Sequence, residues 1–329
     1  MISFLRSGKK VRPTLAVSMV PTRSSWGGSS PFVSQLSNFL WRRGWRVVFH
    51  LQEKPDIILV IDPRTDNPAK RFGLQELTSF RQKHPEVPIV LRVNDCDQRK
   101  GTQDIDELLR LTNQLSDYTI FISEWLRDYF VAQWFDLSLP HSVIYNGADS
   151  SIYHPFGTRL PGPNEPIRIV THHWSNNLLK GFDKYQELDE WIASGGLPRC
   201  KFRIMGRWPS DITWKAAETI SPLTGHPLGR RLRECHLYLT ASRWEPGGMH
   251  HVEGAQCGLP LVYHEDGGGI VEAGKKYGVS FRANLREAIL EAMERLPELR
   301  SQVLCYPPSG DRMVLDYATI LQKLVVAGS

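Results

Sequence analysis

The sequence predicts an α/β protein built from two doubly wound, parallel-sheet domains of the Rossmann type that face each other across a cleft. Short apolar runs of strand character alternate with segments of helical periodicity in both halves of the chain. A stretch rich in Pro and Gly, His154–Pro166, separates the two series and has the composition of a domain boundary. The 329 residues are enough for two domains of ordinary size.

In the first half, the pattern predicts six strands and four helices. The predicted strands are Thr14–Val20, Arg46–Leu51, Asp56–Ile61, Ile89–Val93, Tyr118–Ile122 and Ser142–Tyr145. The predicted helices are Pro31–Arg43, Leu74–Lys83, Asp104–Leu115 and Glu124–Gln133.

The second half restarts the alternation. The predicted strands are Ile167–Thr171, Lys201–Met205, Leu237–Thr240 and Leu261–Tyr263. The predicted helices are Phe182–Ala193, Leu228–Glu234, Leu285–Leu296 and a closing segment, Asp311–Val326. We therefore expect one domain at residues 1–157, a second at 158–309 and a final helix within 310–329.

Composition narrows the classes of protein that the chain can be. Net charge is only +5, which is too dilute to indicate nucleic-acid binding, and no apolar run approaches the ~20 residues of a membrane span. Five scattered cysteines without close pairs favour reduced thiols and a cytoplasmic location. The segment Trp41–Arg46, WRRGWR, leaves a weak membrane association open, but we favour an ordinary helix end that stops at Gly44.

The most informative segment is Ala241–Glu272, which reads strand end, glycine loop, helix, strand and second glycine loop. Gly247 and Gly248 allow backbone N–H groups to approach a phosphate closely at the start of the helix. Glu253 falls in the first turns of that helix, where its carboxylate can accept both hydroxyls of a ribose. Glu245, in the loop, faces whatever lies beyond the phosphates, although both glutamates can also be solvated or cap the helix.

This segment resembles the donor site of retaining glycosyltransferases of family four, which have the GT-B fold. The resemblance rests on Glu245 and Glu253 with seven residues between them, a Gly-x-Pro turn at Gly258–Pro260 and the block Gly267–Gly278. Similar blocks occur elsewhere in the chain, in the ranges Phe121–Phe130, Val143–Pro155, Leu178–Tyr185 and Ser309–Leu321. The last of these resembles the closing helix that crosses back to the first domain.

The resemblance implies roles for individual residues. Glu253 would bind the donor ribose, and Glu245 would contact the transferred sugar near its anomeric centre. Lys180 would neutralise the departing diphosphate, a task for which positive charge has a clear physical basis. Backbone N–H groups for the sugar or phosphates would come from Gly247, Gly248 and Met249. Retention of anomeric configuration, metal independence and the absence of a cofactor are also implied.

One position departs from the family pattern. Members usually carry an Arg five positions before the lysine, and here that position is Ser175. Arg207 and Arg243 are the candidates for the second cation. His173 lies with His172 and Trp174 at the same strand end, where these rings can contact the ligand or simply pack at the domain surface.

The first domain is expected to bind the acceptor. Gly27 and Gly28 follow the first strand and are placed to hold acceptor or phosphate oxygens, although an isolated Gly-Gly pair is weak evidence. Asn94 and Asp95 end a strand at the cleft, and we expect Asp95 to be catalytic by orienting the acceptor hydroxyl or stabilising positive charge on the ring. Arg92 and Arg99 are further candidates for contact with phosphate.

Two metal alternatives stay open at this point. Asp95-Cys96-Asp97 matches the metal motif of another glycosyltransferase fold, but two doubly wound halves argue against that fold. The His250-His251-x-Glu253 cluster supplies too few ligands for zinc. We therefore expect no metal.

The expected function is transfer of a sugar from a nucleotide-diphosphate donor, UDP- or GDP-linked, to a hydroxyl of a carbohydrate or glycan acceptor. Glycan or polysaccharide synthesis is the expected setting. Two alternatives remain: a nucleotide-sugar epimerase or hydrolase on the same scaffold, and a non-catalytic subunit that binds sugar nucleotides.

Overall fold

A computed structural model describes residues 12–22, 28–66, 68–306 and 309–327. Within them the chain forms two six-stranded sheets, and every strand pair in both sheets is parallel. Helices cover the sheets, so that strands such as Ile57–Val60 are buried along their whole length. The predicted class, two doubly wound domains with parallel sheets, is confirmed.

The first sheet has the strand order β2-β1-β3-β4-β5-β6. Its strands are β1 (Thr14–Val17), β2 (Arg46–Val48), β3 (Ile57–Val60), β4 (Ile89–Val93), β5 (Tyr118–Phe121) and β6 (His141–Val143). Its helices are α1 (Ser29–Arg42), α2 (Leu74–Lys83), α3 (Asp97–Lys100), α4 (Ile105–Asn113) and α5 (Glu124–Val131).

The second sheet has the order β12-β11-β10-β7-β8-β9. Its strands are β7 (Ile167–His173), β8 (Cys200–Gly206), β9 (Glu218–Ile220), β10 (Leu237–Thr240), β11 (Leu261–His264) and β12 (Gly278–Phe281). Its helices are α6 (Phe182–Ala193), α7 (Gly225–Arg233), α8 (Met249–Gln256), α9 (Ile270–Tyr277), α10 (Leu285–Glu294) and α11 (Leu296–Leu304).

The last helix, α12 (Gly310–Ala327), packs on the first sheet although it follows the second in sequence. Its buried residues Met313, Tyr317 and Leu321 join the same apolar cluster as Leu15 and Phe32. The Tyr317 and Phe32 rings meet edge to face with their centroids 4.7 Å apart. This packing ties the end of the chain to the first half of the molecule.

The main difference from the sequence prediction concerns the segment after β12. A single helix over Leu285–Leu296 is wrong, because two helices, α10 and α11, meet at Arg295. Pro297 lies in the first turn of α11, a position that proline favours, whereas inside one continuous helix it would remove a hydrogen bond and clash with the preceding turn. The short elements α3, β9 and β12 were also not predicted.

The segment WRRGWR forms the end of α1. Gly44 has φ +85°, and the N–H groups of Arg43 and Gly44 close the last turn on Leu40 and Trp41. Trp41 is 72% exposed. Within the described ranges, no helix is both long enough and apolar enough to span a bilayer.

Candidate functional site

A cavity lies where the carboxyl ends of the two sheets meet, the usual position of ligand sites in open parallel sheets. Its residues come from the loops after β1, β4, β7 and β10 and from the start of α8. The lining residues are Gly28, Arg99, His172, His173, Trp174, Ser175, Lys180, Glu245, Gly248, Met249, His250 and Glu253. The structure therefore brings most of the predicted donor-site residues together.

Glu245 forms two ion pairs in this cavity. Its Oε2 lies 2.5 Å from Lys180 Nζ, and its Oε1 lies 3.1 Å from Arg99 Nε. Burial by itself would raise the pKa of Glu245, but the charges of Arg99 and Lys180 outweigh burial and hold the pKa well below its ordinary value. Glu245 is therefore a carboxylate that links cations from both halves of the molecule.

Lys180 is buried, not solvent-facing. Burial lowers its pKa, and the charge of Glu245 opposes that effect. Lys180 ends a short 3-10 turn, Leu178–Lys180, and Gly181 follows with φ +77°. A Cβ atom at Gly181 would lie 2.3 Å from the backbone oxygen of Ala241. Only glycine allows this close approach, which brings Lys180 beside the loop that carries Glu245.

The loop that carries Glu245 is held by the second glycine block. The Glu245 carbonyl accepts a hydrogen bond from the Gly269 N–H at 2.9 Å, and Trp244 donates its N–H to Asp266 at 2.7 Å. Trp244 has φ +51°, an unfavourable value for a bulky residue. The sequence led us to associate these glycines with the donor site, and in the structure Gly269 holds the backbone of Glu245.

Glu253 belongs to a buried chain of hydrogen bonds. His172 Nε2 lies 2.8 Å from Glu253 Oε2, and its Nδ1 lies 3.0 Å from the Tyr238 hydroxyl. The three side chains are almost completely buried. Glu253 lies in the second turn of α8, as predicted, so its carboxylate is fixed at the wall of the cavity.

Two further histidines, His173 and His250, line the cavity without adding positive charge to it, and His251 follows His250 in α8. Burial lowers the pKa of His173 and His250 well below 6.5, with nearby Lys180 acting in the same direction. Burial also lowers the pKa of His251, to about 4. These rings are therefore neutral at pH 7. Nδ1 of His173 is buried and has no hydrogen-bond partner among the described residues.

The amino end of α8 faces the same cavity through Gly248 and Met249. Gly248 precedes the helix without a side-chain cap, and the first turn of α8 contains no acidic residue. Free N–H groups at a helix start attract anions. A Cβ atom on Gly28, from the opposite half, would lie 2.6 Å from Met249 Cγ. Glycine at position 28 therefore lets the two loops approach each other beside this helix end.

A second space adjoins the cavity and shares Trp174, Met249 and Glu253 with it. Polar side chains of α1 form one wall, namely Ser30, Ser34, Gln35 and Asn38. The opposite wall includes Tyr153, whose pKa is raised first by burial and then by the charge of Glu253. The cleft therefore continues from the charged cavity into a largely neutral, hydrogen-bonding space.

Asp95 and Asn94 follow β4 and are held there by polar neighbours. Asp95 pairs with Arg64 at 3.1 Å and with Lys100. Asn94 lies 3.1 Å from the hydroxyl of Ser29. Neither side chain lines the cavity, so the assignment of Asp95 to the acceptor hydroxyl requires a different arrangement of these ion pairs.

Two other predicted residues, Arg207 and Gly247, lie at the margin of the site. Arg207 donates its N–H to the His173 carbonyl and a guanidinium N–H to the Trp174 carbonyl at 3.0 Å. The Gly247 carbonyl accepts a hydrogen bond from Asn146 at 2.6 Å, a contact between the two halves. Gly27 falls outside the described residues.

The residues considered for metal binding have other partners. Asp97 accepts hydrogen bonds from the Thr102 hydroxyl and from the N–H groups of Ile105 and Asp106, so it organises the loop before α4. His250 Nε2 lies 3.1 Å from the Thr240 hydroxyl. No group of three or more His, Cys, Asp or Glu side chains suited to a metal ion occurs in the ranges that the structure describes.

Arg99 is the cavity residue whose pairing with Glu245 the sequence analysis did not predict. It was a candidate for phosphate on the acceptor side, whereas Arg207 and Arg243 were considered for the second cation. Arg243 is partly exposed and lies 3.4 Å from Asp183, outside the cavity. Pairing between loops of opposite sheets has no periodic signal in the sequence, so only the tertiary structure identifies Arg99 as a partner of Glu245.

Comparisons with known proteins define the fold. No protein-family profile and no curated protein matches the chain. Among solved structures, sucrose-phosphate synthase from Thermosynechococcus elongatus is similar, with a TM-score of 0.67, 14% identity and coverage of 96% of this chain and 100% of that one. WaaG, a glycosyltransferase involved in lipopolysaccharide biosynthesis, has a TM-score of 0.67 at 11% identity, covering 94% and 99% of the two chains.

The catalytic domain of starch synthase IV from Arabidopsis thaliana, bound to ADP and acarbose, is also similar. Its TM-score is 0.63 at 11% identity, with 96% of this chain and 99% of that one covered. All three likenesses extend over nearly the whole chain, although so few residues are identical. They show that this protein has the GT-B fold, and the function of this chain must be argued from its own site.

Proposed function

We propose that the protein is a glycosyltransferase that moves a sugar from a nucleotide-diphosphate donor to a hydroxyl of a carbohydrate acceptor. The observation that carries the proposal is one cavity in which Glu245, Lys180 and Glu253 meet the uncapped start of α8. This arrangement combines groups for a diphosphate with carboxylates for sugar hydroxyls.

The donor would bind along α8. Its diphosphate would lie at the amino end of the helix, where free N–H groups and the helix dipole favour negative charge. Glu253, already fixed by His172, would accept the ribose hydroxyls. The adjoining space beside Tyr153 and α1 would then receive the base. Glu245 would lie on the other side of the phosphates, beside the transferred sugar.

Cleavage of the bond between sugar and diphosphate places new negative charge on the departing phosphate. Lys180 is buried at the cavity wall, and electrostatic stabilisation of developing charge is strongest where water is excluded. In the present structure Lys180 and Arg99 are paired with Glu245. A bound diphosphate would share these cations, which would free the Glu245 oxygens to accept hydroxyls of the sugar.

The finer assignments rest on the sequence resemblance. Family-four membership, retention of configuration and a UDP- or GDP-linked hexose are part of this proposal, as are metal independence and a role in glycan synthesis. The starch synthase domain is bound to ADP, so ADP belongs in any screen for the base. A cytoplasmic location stays a prediction of the sequence, and a weak membrane association through the segment Trp41–Arg46 stays the less favoured alternative.

A binding experiment tests the donor site. Calorimetry against UDP, GDP and ADP should identify one nucleotide that binds. Glu253→Ala and Lys180→Ala should each weaken its binding roughly ten- to hundred-fold, because each removes a charged hydrogen-bonding group from a buried site. Glu107→Ala, on the exposed face of α4, is the matched control and should bind like the wild type. Unchanged affinity in both site variants would contradict the assignment.

A further inference from the structure

The cavity contains a cation from each half of the molecule. Among the described lining residues, Lys180 and Arg99 are the one lysine and the one arginine. Lys180 follows β7 of the second sheet, whereas Arg99 follows β4 of the first. Ser175, also from the second half, lines the same cavity but contributes only a hydroxyl.

The surroundings of Arg99 hold it toward the cavity. Its side chain is 14% exposed and meets the same carboxylate as Lys180, Glu245. The charge of Glu245 raises the pKa of Arg99 above its ordinary value, so its positive charge is permanent. Lys180 and Arg99 approach different oxygens of that carboxylate, which places two cations around one anion.

The loop that carries Arg99 is itself well ordered by hydrogen bonds. Asp97 binds the N–H groups at the start of α4, and the Asp97 N–H donates to Asp106 at 2.8 Å. Asp95 pairs with Lys100 on the other side of α3. The helix α3 has four residues and is too short to be stable alone. These contacts hold it in place, so the backbone at Arg99 has a fixed position.

We propose that Arg99 is the second cation for the donor diphosphate and that the first half of the molecule supplies it across the cleft. The diphosphate would then contact both halves, and binding of the donor would stabilise their closed arrangement. This inference rests on the proposed function. It differs from a purely structural role, in which Arg99 would only hold Glu245 in place.

Moving the positive charge from position 99 to position 175 distinguishes binding of the diphosphate by Arg99 from a purely structural role. Arg99→Gln should weaken binding of the preferred nucleoside diphosphate, among UDP, GDP and ADP, roughly ten- to hundred-fold. The corresponding monophosphate should lose much less. Adding Ser175→Arg to Arg99→Gln places an arginine in the same cavity from the other side and should restore most of the diphosphate affinity. If Arg99 only positioned Glu245, an arginine at position 175 would not restore the diphosphate affinity.

Two controls accompany the experiment. Arg110→Gln removes an arginine of the same half that pairs with Glu107 on an exposed helix face, and it should bind like the wild type. Arg99→Lys keeps the charge and should retain more diphosphate affinity than Arg99→Gln. Thermal unfolding of each variant shows whether it is folded at the temperature of the titration. If Arg99→Gln does not fold, the diphosphate affinity of Arg99→Lys is compared with that of the double variant Ser175→Arg/Arg99→Lys.

The outcomes separate this inference from the proposed function. Normal diphosphate binding by Arg99→Gln, together with lost binding by Lys180→Ala, would overturn the role of Arg99 and leave the donor site intact. Equal losses for monophosphate and diphosphate without rescue by Ser175→Arg would also overturn it. Absence of nucleotide binding by the wild type would overturn both proposals.

Discussion

Glu245 connects two cations that approach it from opposite halves of the molecule. A buried carboxylate in this position is expensive to desolvate, and its neighbours are what keep it ionised. The same three charges would be used again when a diphosphate enters the cavity. At the scale of single residues, the resting ion pairs and the proposed donor contacts therefore involve the same atoms.

Removing the charge of Glu245 should destabilise the empty protein. Glu245→Gln leaves Lys180 and Arg99 without their shared anion in a buried site, and breaking such an arrangement costs about 3–5 kcal/mol of unfolding free energy. Denaturant unfolding measures this loss. Saturating nucleoside diphosphate should recover part of it, because the phosphates return negative charge to the two cations.

A matched control for this variant is Glu218→Gln. Glu218 also pairs with a mostly buried arginine, Arg203, at 2.9 Å, but its own side chain is 54% exposed. Solvent screens that pair, so the loss should be below about 1 kcal/mol. Equal losses of unfolding free energy in Glu245→Gln and Glu218→Gln would show that the buried Glu245 ion pairs stabilise the protein no more than a solvent-exposed pair does.

The turn that carries Lys180 depends on one glycine. Gly181 and Gly195 both have φ +77°. A Cβ atom at Gly181 would lie 2.3 Å from the Ala241 oxygen, whereas a Cβ atom at Gly195 would have no such neighbour within 4 Å among the described residues. Both alanine variants carry the cost of left-handed backbone, roughly 1–2 kcal/mol. Only Gly181→Ala adds a clash with the neighbouring loop.

We therefore expect Gly181→Ala to lose clearly more unfolding free energy than Gly195→Ala and to weaken nucleoside diphosphate binding as well. Gly195→Ala should leave that binding unchanged, since it lies after α6 and away from the cavity. Denaturant unfolding and calorimetry on the pair provide the measurement. Equal unfolding free energy and equal diphosphate affinity in Gly181→Ala and Gly195→Ala would contradict the conclusion that the turn at Gly181 positions Lys180.

At the scale of elements, the predicted pattern was reliable where periodicity is long and bounded by turn residues. The helices Leu74–Lys83 and Phe182–Ala193 and the strand Leu237–Thr240 have the predicted limits. The helix predicted through Leu296 divides at Arg295, since Pro297 needs a helix start. The strands β9, with the sequence ETI, and β12, with the sequence GVSF, lack the continuous apolar run that marks a buried strand.

The same distinction holds for the site. Glu245 and Glu253 were identifiable because local spacing placed them in a loop after a strand and in the first turns of a helix, where a cleft is expected. Lys180 was identifiable because the segment Leu178–Tyr185 resembles the family. Arg99 was not assigned as the partner of Glu245, because the two residues are far apart in sequence and meet only through tertiary packing. The hydrogen bonds of His172 with Glu253 and Tyr238 likewise depend on three separate elements.

At the scale of the whole molecule, several contacts hold the two halves together around the cavity. Glu272 of α9 accepts hydrogen bonds from the N–H groups of Glu124 and Trp125 at the start of α5, at 3.1 and 2.7 Å. A carboxylate at that helix end is favoured by the helix dipole. Asn146 donates to the Gly247 carbonyl next to the same interface. These contacts join the two halves on the side where Glu245, Lys180 and Arg99 line the cavity.

Such an arrangement suits transfer between two bound substrates, because it excludes water and holds the reactants together. An epimerase or hydrolase would convert the donor without an acceptor, and a binding subunit would hold the nucleotide without converting it. Dependence of turnover on the acceptor therefore separates the central proposal from both alternatives.

The most direct test is product analysis by NMR after incubation with UDP-, GDP- and ADP-linked hexoses, with and without a panel of saccharide acceptors. We predict a new glycosidic product and stoichiometric release of nucleoside diphosphate only when a suitable acceptor is present, and loss of both in Glu245→Gln. Donor breakdown at the same rate without acceptor, or tight nucleotide binding without turnover across the panel, would contradict the assignment as a glycosyltransferase.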